Sequence, residues 1–243
     1  MARRSGPGRI LALIPAKEGS RRLPQKNILS LAGKSLLERT ILTARKTGLF
    51  ARIFVSTESE RVAAIVREAG IDLPFMRPAE LARDPAGVVE VALHALDEWE
   101  RRGESFDTLV ILLPTSPFRL AADVVGALDA YRRLEVDFLM SVARETHSPL
   151  SSLVLESERL LPLHPEWLNR TGARASAALP DLVRCNGAVT VVDVVRFRQE
   201  RNYYAYPLGA YVMPAERSLD IDTELEFGFA EYLAARHPDW LDD

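Results

Sequence analysis

The sequence predicts an α/β fold with a mostly parallel sheet, formed by residues 1–243 as a single domain. Apolar runs at 10–14, 53–55 and 109–113 are continuous rather than alternating, as in strands that are covered on both faces. Patterns with helical spacing lie between these runs, so strand and helix alternate as in βαβ units. The alternation stops near residue 145 and resumes after residue 180, which predicts that residues 145–180 form an inserted arm or lid.

Two of the predicted helices begin with a capping box. Ser35 with Glu38, and Thr57 with Glu60, have the spacing in which a hydroxyl and a carboxylate each satisfy a free backbone N–H. We therefore expect helices to begin directly after Ser35 and Thr57.

Composition and charge exclude several classes of protein. Lys and Arg total 31 and Asp and Glu total 34, so the formal net charge is −3 and neither a nucleic acid nor a membrane is expected as a partner. The basic start precedes only a short apolar run, and no later stretch approaches twenty apolar residues, so we expect a cytoplasmic protein. The single cysteine, Cys185, forms no intrachain disulfide and is expected to be a small buried side chain.

A basic loop, residues 16–27, follows the first predicted strand. Its cationic residues are Lys17, Arg21, Arg22 and Lys26. In open α/β sheets, ligands bind beyond the carboxyl ends of the strands. Gly19 and Ser20 can offer backbone N–H groups to phosphate oxygens while the cations supply charge, so a triphosphate is the predicted ligand. A solvated basic loop is the alternative interpretation.

Two common phosphate-binding motifs are excluded. Gly33, Lys34 and Ser35 copy the end of a Walker A motif, but the earlier glycine would have to fall at Ile28, and Ser35 is already explained as a helix cap. Since no G-x-G-x-x-G follows a predicted strand, a nicotinamide-dependent dehydrogenase is not expected.

Two aspartates near the other end of the chain form a candidate metal site. In extended structure Leu219 and Ile221 face one side while Asp220 and Asp222 face the other. Paired carboxylates repel each other unless a cation lies between them, and Mg²⁺ binds such oxygens together with substrate phosphates. The alternative is that Asp222 caps the next helix.

A third candidate segment is the rigid turn Pro114-Thr115-Ser116-Pro117-Phe118-Arg119. It follows a predicted strand, so Thr115, Ser116 and Arg119 are expected at the same edge of the sheet as the basic loop. An ordinary turn bounded by prolines explains the pattern equally well.

Taken in order, these segments resemble the CMP-sialic acid synthetases, the acylneuraminate cytidylyltransferases. The matching segments are IPAKEGSRRLPQKN (14–27), RPAEL (77–81), PTSPFR (114–119), NGA (186–188) and SLDIDT (218–223). The resemblance implies a three-layer, Rossmann-like nucleotidyltransferase fold with an inserted dimerisation arm. It also implies Mg²⁺-dependent transfer of CMP from CTP to a nonulosonic acid by a homodimer.

The resemblance also implies roles for individual residues. The implied catalytic residues are Lys17, Arg21, Lys26, Asp220 and Asp222, of which Asp220 and Asp222 would hold the metal. The implied nucleotide-binding residues are Ala16, Lys17, Gly19, Ser20, Arg21, Lys26, Asn27, Arg77 and Ala86. The implied sugar-binding residues are Leu113, Thr115, Ser116, Arg119, Arg184, Asn186, Gly187, Tyr203 and Tyr204, with Arg170 and Arg174 as candidates on the arm.

Three residues depart from the family pattern. Lys17 stands where an arginine is usual, Val88 where a serine is usual, and Leu113 where sialic acid enzymes often have a glutamine. Two alternatives therefore stay open at this point. One is a cytidylyltransferase for an eight-carbon acid such as 3-deoxy-octulosonate, and the other is a non-catalytic CTP-binding module.

Overall fold

The computed structural model describes residues 8–145, 148–168 and 180–241. The strands in chain order are β1 (Ile10–Pro15), β2 (Ser30–Leu31), β3 (Lys34–Ser35), β4 (Arg52–Ser56), β5 (Thr108–Ile111), β6 (Phe138–Arg144), β7 (Leu153–Glu156), β8 (Arg159–Pro162), β9 (Val183–Asp193) and β10 (Leu208–Val212). The helices are α1 (Leu36–Thr47), α2 (Glu60–Glu68), α3 (Val88–Arg101), α4 (Ala121–Arg133), α5 (Pro165–Leu168), α6 (Val194–Glu200) and α7 (Glu224–Arg236).

Six strands form the central sheet, in the order β10-β6-β9-β5-β1-β4. β1 pairs in parallel with β4 and β5, and β10 pairs in parallel with β6. β9 is antiparallel to both of its neighbours, β5 and β6. The sheet is therefore mostly parallel, as the continuous apolar runs predict.

The sheet is covered on both faces, which makes three layers. Alternate residues of β1 enter two separate cores: Ala12 packs with α1, α2 and α4, whereas Leu13 packs with α3 and α6. Because both sets of side chains are buried, β1 contains no polar residue. The predicted α/β class and its three layers are confirmed.

One of the two predicted helix starts is confirmed. Ser35 caps α1 in a complete capping box with Glu38. The Thr57 prediction is wrong, because the residue that caps α2 is Ser59, which accepts from the backbone N–H of Val62 at 3.3 Å. Thr57 instead accepts from the N–H of Ser59 at 3.1 Å, so the chain makes one more turn before the helix begins.

β7 and β8 form a separate antiparallel hairpin within the segment predicted as an arm. All eight of their residues are exposed, including Leu155 at 67% and Leu160 at 61%. Across the described ranges, no helix has the length and apolar content needed to cross a membrane.

Candidate active site at the carboxyl edge of the sheet

A small third core brings the three predicted site segments together. Leu23 of the basic loop, Phe118 of the proline-bounded turn and Ile221 between the two aspartates are all buried in one cluster with α7. The backbone N–H of Ile221 also donates to the carbonyl oxygen of Thr115 at 2.9 Å. Apolar packing behind the site therefore fixes segments that are far apart in the chain.

The basic loop is tied down at its start. Ala16 donates its N–H to the carbonyl oxygen of Ser56, at the end of β4, at 3.0 Å. The buried Asn27 donates from Nδ2 to the carbonyl oxygen of Lys17 at 2.8 Å, which closes the loop on itself. Asn27 is therefore a residue that shapes the loop.

A cavity of about 540 Å³ lies inside the basic loop. It is lined by Lys17, Gly19, Ser20, Arg21, Arg22, Lys26, Ala82, Arg83 and Asp84. Arg21 forms an exposed ion pair with Asp84 at 3.0 Å, so its guanidinium remains at the surface. Because the lining holds five lysines and arginines and a single carboxylate, Asp84, the cavity is strongly cationic.

A second cavity of about 220 Å³ shares Lys17 and Lys26 with the first. Its lining is more apolar and consists of Pro15, Lys17, Lys26, Asn27, Arg77, Leu81, Ala86, Gly87, Val88, Val91, Leu113, Pro114 and Thr115. The two shared lysines make the cavities neighbours, so that one ligand with a charged part and a flat part can occupy both.

Asp222 is held by two cations from the basic loop. Lys26 Nζ donates to its Oδ1 at 2.6 Å, and Arg22 donates to its Oδ2 at 2.5 Å. Burial alone would raise the pKa of Asp222, but the hydrogen bonds and charges of Lys26 and Arg22 lower it below the usual value. Asp222 is therefore ionised and already neutralised in this structure.

The pKa of Asp220 is shifted in the opposite direction, upwards. Burial raises its pKa, a hydrogen bond from Thr115 opposes that rise, and the charge of Asp222 adds to it. Its Oδ1 is buried and, within the parts of the chain that the structure describes, has no hydrogen-bond partner. A buried carboxylate oxygen of this kind is costly unless a ligand reaches it.

Gly187 brings the predicted sugar-binding residues beside Asp220. Its φ of +70° lies in the left-handed region, which glycine adopts at least cost. A Cβ built there would lie 3.2 Å from Cδ1 of Leu113 and 3.5 Å from Oδ2 of Asp220. Ser116 Oγ would be 3.6 Å away and donates to the carbonyl oxygen of Asn186 at 3.2 Å. A side chain at residue 187 would fill this space.

Asn186 joins three segments under the site. Its Oδ1 accepts from Ser141 Oγ of β6 at 2.6 Å and from the N–H of Ala188 at 3.2 Å. Its Nδ2 donates to Ser218 Oγ at 2.9 Å, two residues before Asp220. Because the side chain is buried and its hydrogen-bonding groups are used, the structure gives Asn186 a supporting position rather than an open one.

Arg119 is also placed as a support. Its guanidinium is buried and donates to the carbonyl oxygens of Leu113, at 3.1 Å, and Ala188, at 2.8 Å. Burial lowers its pKa to about 10. It lines neither of the two cavities described above, and it joins the turn after β5 to the middle of β9.

The remaining predicted sugar-side residues lie towards the arm. The rings of Tyr203 and Tyr204 are 5.0 Å apart, and Arg184 forms an ion pair with Glu145 at 3.6 Å. Cys185, beside them, is exposed, so the prediction of a buried cysteine is wrong: this end of β9 runs beyond the covered part of the sheet. Arg170 and Arg174 lie outside the described residues.

The sequence reasoning missed several supporting residues. Glu58 pairs with Arg77, and Asp123, four residues after the proline-bounded turn, forms a mostly buried ion pair with Arg217. Glu58 had a usable signal, because it follows β4 at the same edge of the sheet as the basic loop. Asp123 and Arg217 are 94 residues apart, and nothing in their local sequence marks the pair.

This arrangement defines a class of protein. A three-layer α/β fold with a cationic loop after β1, a neighbouring base-sized cavity and acidic residues at the same sheet edge is that of a nucleotidyltransferase. The chain belongs to the cytidylyltransferase family, whose sequence model matches residues 11–152.

Curated relatives lie within the same family. The chain is 28% identical to the CMP-N,N'-diacetyllegionaminic acid synthase of Legionella pneumophila, over 93% of this chain and 96% of that protein. It is 30% identical to the N-acylneuraminate cytidylyltransferase of Escherichia coli, over 91% of this chain and 51% of that protein. The chain thus spans nearly the whole length of the first relative and about half the length of the second.

Solved structures show the same fold. The structure is similar to a CMP:2-keto-3-deoxy-manno-octonic acid synthetase complexed with CTP, with a TM-score of 0.70 and 16% identity over 94% of this chain and 99% of that chain. It is also similar to the 4-diphosphocytidyl-2C-methyl-D-erythritol synthase of Anaerococcus prevotii, with a TM-score of 0.64 and 12% identity over 95% and 100% of the two chains.

Proposed function

We propose that this protein transfers CMP from CTP to the anomeric hydroxyl of a nonulosonic keto sugar acid, using Mg²⁺ and releasing pyrophosphate. The observation that carries the proposal is the meeting of the basic loop with the acidic segment. Lys26 borders both cavities and lies 2.6 Å from Asp222, so cations for a triphosphate and carboxylates for a metal share one site.

The nucleotide fits the two cavities by charge and shape. The triphosphate would bind in the larger, cationic cavity, where Lys17, Arg21 and Lys26 would offset its charge and the lining residues Gly19 and Ser20 can offer backbone N–H groups. The cytosine belongs in the smaller, more apolar cavity with Arg77 and the backbone near Ala86. Lys17 and Lys26 then lie between base and phosphates.

The chemistry is an in-line displacement at phosphorus. The anomeric oxygen of the sugar acid forms a bond to the α-phosphorus, the bond from that phosphorus to the oxygen bridging to the β-phosphate breaks, and the hydroxyl proton is released. The leaving pyrophosphate takes the electron pair, so charge grows on oxygens beside the loop cations. The protein's task is to hold the reactants in line and to stabilise that charge.

The donor set fits a magnesium ion that is shared with the substrate. Asp220 Oδ1 is a buried oxygen without a protein partner in the described ranges. Those ranges hold no group of three or more acidic, His or Cys residues placed to bind a metal ion, so a metal would take its other ligands from phosphates and water, as Mg²⁺ usually does. When bound, Mg²⁺ would neutralise developing charge on the phosphates.

Asp222 would join the metal only after an exchange of partners. Each of its oxygens accepts a hydrogen bond, Oδ1 from Lys26 and Oδ2 from Arg22. A triphosphate in the larger cavity offers these two cations stronger acceptors, which would release Asp222 towards a metal bound by Asp220. We therefore propose that Mg²⁺ enters with CTP rather than before it.

The relatives support a nine-carbon acceptor over an eight-carbon one. Their names specify diacetyllegionaminic acid, N-acylneuraminate and, in Campylobacter jejuni, pseudaminic acid. The likeness to the octonic acid synthetase concerns the fold, at 16% identity. The acceptor would lie beside Gly187, Leu113 and Tyr203, where Leu113 offers an apolar contact in place of a hydrogen-bond donor.

We further propose that the protein is a homodimer that works in the cytoplasm, where CTP is available. The hairpin of β7 and β8 supports the dimer, because a two-stranded hairpin exposed on both faces is only marginally stable alone. By the family resemblance, Arg170 and Arg174 are the candidates to bind the sugar carboxylate in the site of the partner subunit; both lie outside the described residues.

The test is a panel of acceptors with CTP and Mg²⁺, read by pyrophosphate release and by the mass of the CMP-sugar. The panel includes N-acetylneuraminate, legionaminic and pseudaminic acids, and 3-deoxy-octulosonate. We expect turnover with a nine-carbon acid. Turnover with the eight-carbon acid alone would mean that the acceptor is an eight-carbon acid. CTP binding without turnover on any acceptor would favour a non-catalytic CTP-binding module.

A further inference from the structure

One carboxylate outside the predicted site bridges the walls of the two cavities. Glu58 lies in the turn between β4 and α2, and its side chain is 16% exposed. Its Oε1 accepts from the backbone N–H of Glu18, in the basic loop, at 3.0 Å. Its Oε2 accepts from Arg77, in the wall of the smaller cavity, at 3.0 Å from Nε and 2.5 Å from one terminal nitrogen.

Arg77 depends on Glu58 for its charge and its orientation. Its side chain is only 3% exposed, and a buried guanidinium without an anion would be strongly destabilised. Its backbone N–H is fixed at 3.0 Å to the carbonyl oxygen of Thr57, the residue before Glu58. Neither contact with Glu58 uses Nη1, so the ion pair aligns the guanidinium while leaving one of its nitrogens outside the pair.

The start of the basic loop depends on the same carboxylate. Glu18 lies between Lys17, whose carbonyl oxygen accepts from Asn27, and Gly19, which lines the larger cavity. Asn27 and Glu58 therefore hold the carbonyl oxygen and the N–H of one peptide group, the one that joins Lys17 to Glu18. A shift of Glu58 would move the loop backbone that is proposed to face the phosphates.

We propose that Glu58 is a positioning residue that couples the two cavities, holding Arg77 and the basic loop in register for one nucleoside triphosphate. The inference rests on the proposed function for its ligand. The carboxylate touches neither proposed half of the ligand and acts through Arg77 on one side and through the Glu18 N–H on the other.

The Glu58→Gln variant tests the coupling because it keeps the shape and removes one acceptor. Its single amide oxygen can serve Glu18 or Arg77 but not both, and the amide N–H₂ then faces a donor. We expect the Kd for CTP to rise at least tenfold by calorimetry. Where turnover is measured, the KM for CTP should rise while kcat and the KM for the sugar acid change less than threefold. The matched control is Glu60→Gln, an exposed carboxylate two residues along, which should leave CTP binding within twofold.

A second measurement separates coupling from a general loss of structure. Inorganic tripolyphosphate is expected in the larger cavity, which Arg77 does not line, so a loss of its binding in Arg77→Met that disappears in the Glu58→Gln background reports coupling through Glu58. We expect a loss of threefold or more in the wild-type background and no further loss in the Glu58→Gln background. CTP binding within twofold of wild type in Glu58→Gln, no effect of Arg77→Met, or an equal effect in both backgrounds would overturn the coupling.

Folding and the proposed function are controlled separately. If Glu58→Gln does not fold, Glu58→Asp takes its place, since it keeps the charge but is too short to reach both partners. Its CTP affinity should fall several-fold, and unchanged affinity would overturn the inference. Because both ligands are titrated without a sugar acid, these results do not depend on whether any sugar acid accepts CMP.

Discussion

Nζ of Lys26 lies 2.6 Å from Oδ1 of Asp222, although the two residues are 196 positions apart in the chain. This contact joins the cationic loop that follows β1 to the acidic segment that precedes α7. Arg22 makes the equivalent contact with the other oxygen of the same carboxylate. Charged contacts therefore join the basic loop to the acidic segment, and a triphosphate and a metal would replace them.

Lys26→Met should remove a phosphate ligand and a partner of Asp222 together. We expect turnover to fall by about 10²-fold, the usual cost of losing one preorganised charge-stabilising donor. The loss should appear mainly in kcat/KM for CTP. Turnover within threefold of wild type would remove Lys26 from the proposed chemistry.

Metal binding should require the nucleotide. With Mn²⁺ as a paramagnetic substitute for Mg²⁺, we expect little bound metal in the protein alone, because Lys26 and Arg22 occupy both oxygens of Asp222. Addition of CTP should produce a protein-bound Mn²⁺ signal that Asp220→Asn abolishes. Tight Mn²⁺ binding without CTP would contradict the proposed exchange of partners.

Asp220→Asn should stabilise the fold while it removes activity. Burial raises the pKa of Asp220, so its ionised form destabilises the folded state at pH values above the ordinary carboxyl range. At pH 7.5 we expect the free energy of unfolding of Asp220→Asn to exceed that of wild type by about 1 kcal/mol. For a chain of this size, that difference raises the Tm by about 2–4 °C.

The pH dependence of that gain follows from the same shift. As the pH falls through the raised pKa of Asp220 towards pH 4, the wild-type carboxyl becomes protonated, and the Tm difference between variant and wild type should shrink. A scanning calorimeter measures both curves. A constant difference, or a destabilised variant at pH 7.5, would contradict the electrostatic account of Asp220.

The hairpin should carry the dimer contact. Leu155→Glu combined with Leu160→Glu places charges on the exposed apolar hairpin and should shift sedimentation to the monomer. Turnover should fall at least tenfold while CTP affinity stays within twofold, because all residues of the proposed nucleotide site belong to one chain. The matched control is Leu225→Glu, an exposed leucine on α7, which should sediment like wild type.

Most of the fold can be predicted from local sequence patterns. Uninterrupted apolar runs identified β1, β4 and β5, because strands covered on both faces carry no polar alternation. The predicted helix cap at Thr57 is wrong because the spacing of Thr57 and Glu60 also fits a turn that ends at Ser59. Spacing alone does not tell the two apart.

The site can be predicted where local pattern marks it. The basic loop follows a strand end and the two aspartates alternate with Leu219 and Ile221, whereas the burial of Arg119 and Asn186 depends on contacts across β5, β6 and β9. Charge pattern could not show that Asp222 would be neutralised by Lys26 and Arg22 while Asp220 would not. That difference arises from packing around Ile221, which turns the two carboxylates into different surroundings.

Metal-assisted transfer of CMP is proposed at the edge of the sheet where Lys26 meets Asp222. The most direct test is pyrophosphate release from CTP and Mg²⁺ with a nine-carbon keto sugar acid, in wild type, Asp220→Asn and Asp222→Asn. We predict turnover in wild type and a loss of at least 10³-fold in both folded variants. No pyrophosphate from wild type with any acid while CTP still binds, or wild-type rates in both variants, would contradict it.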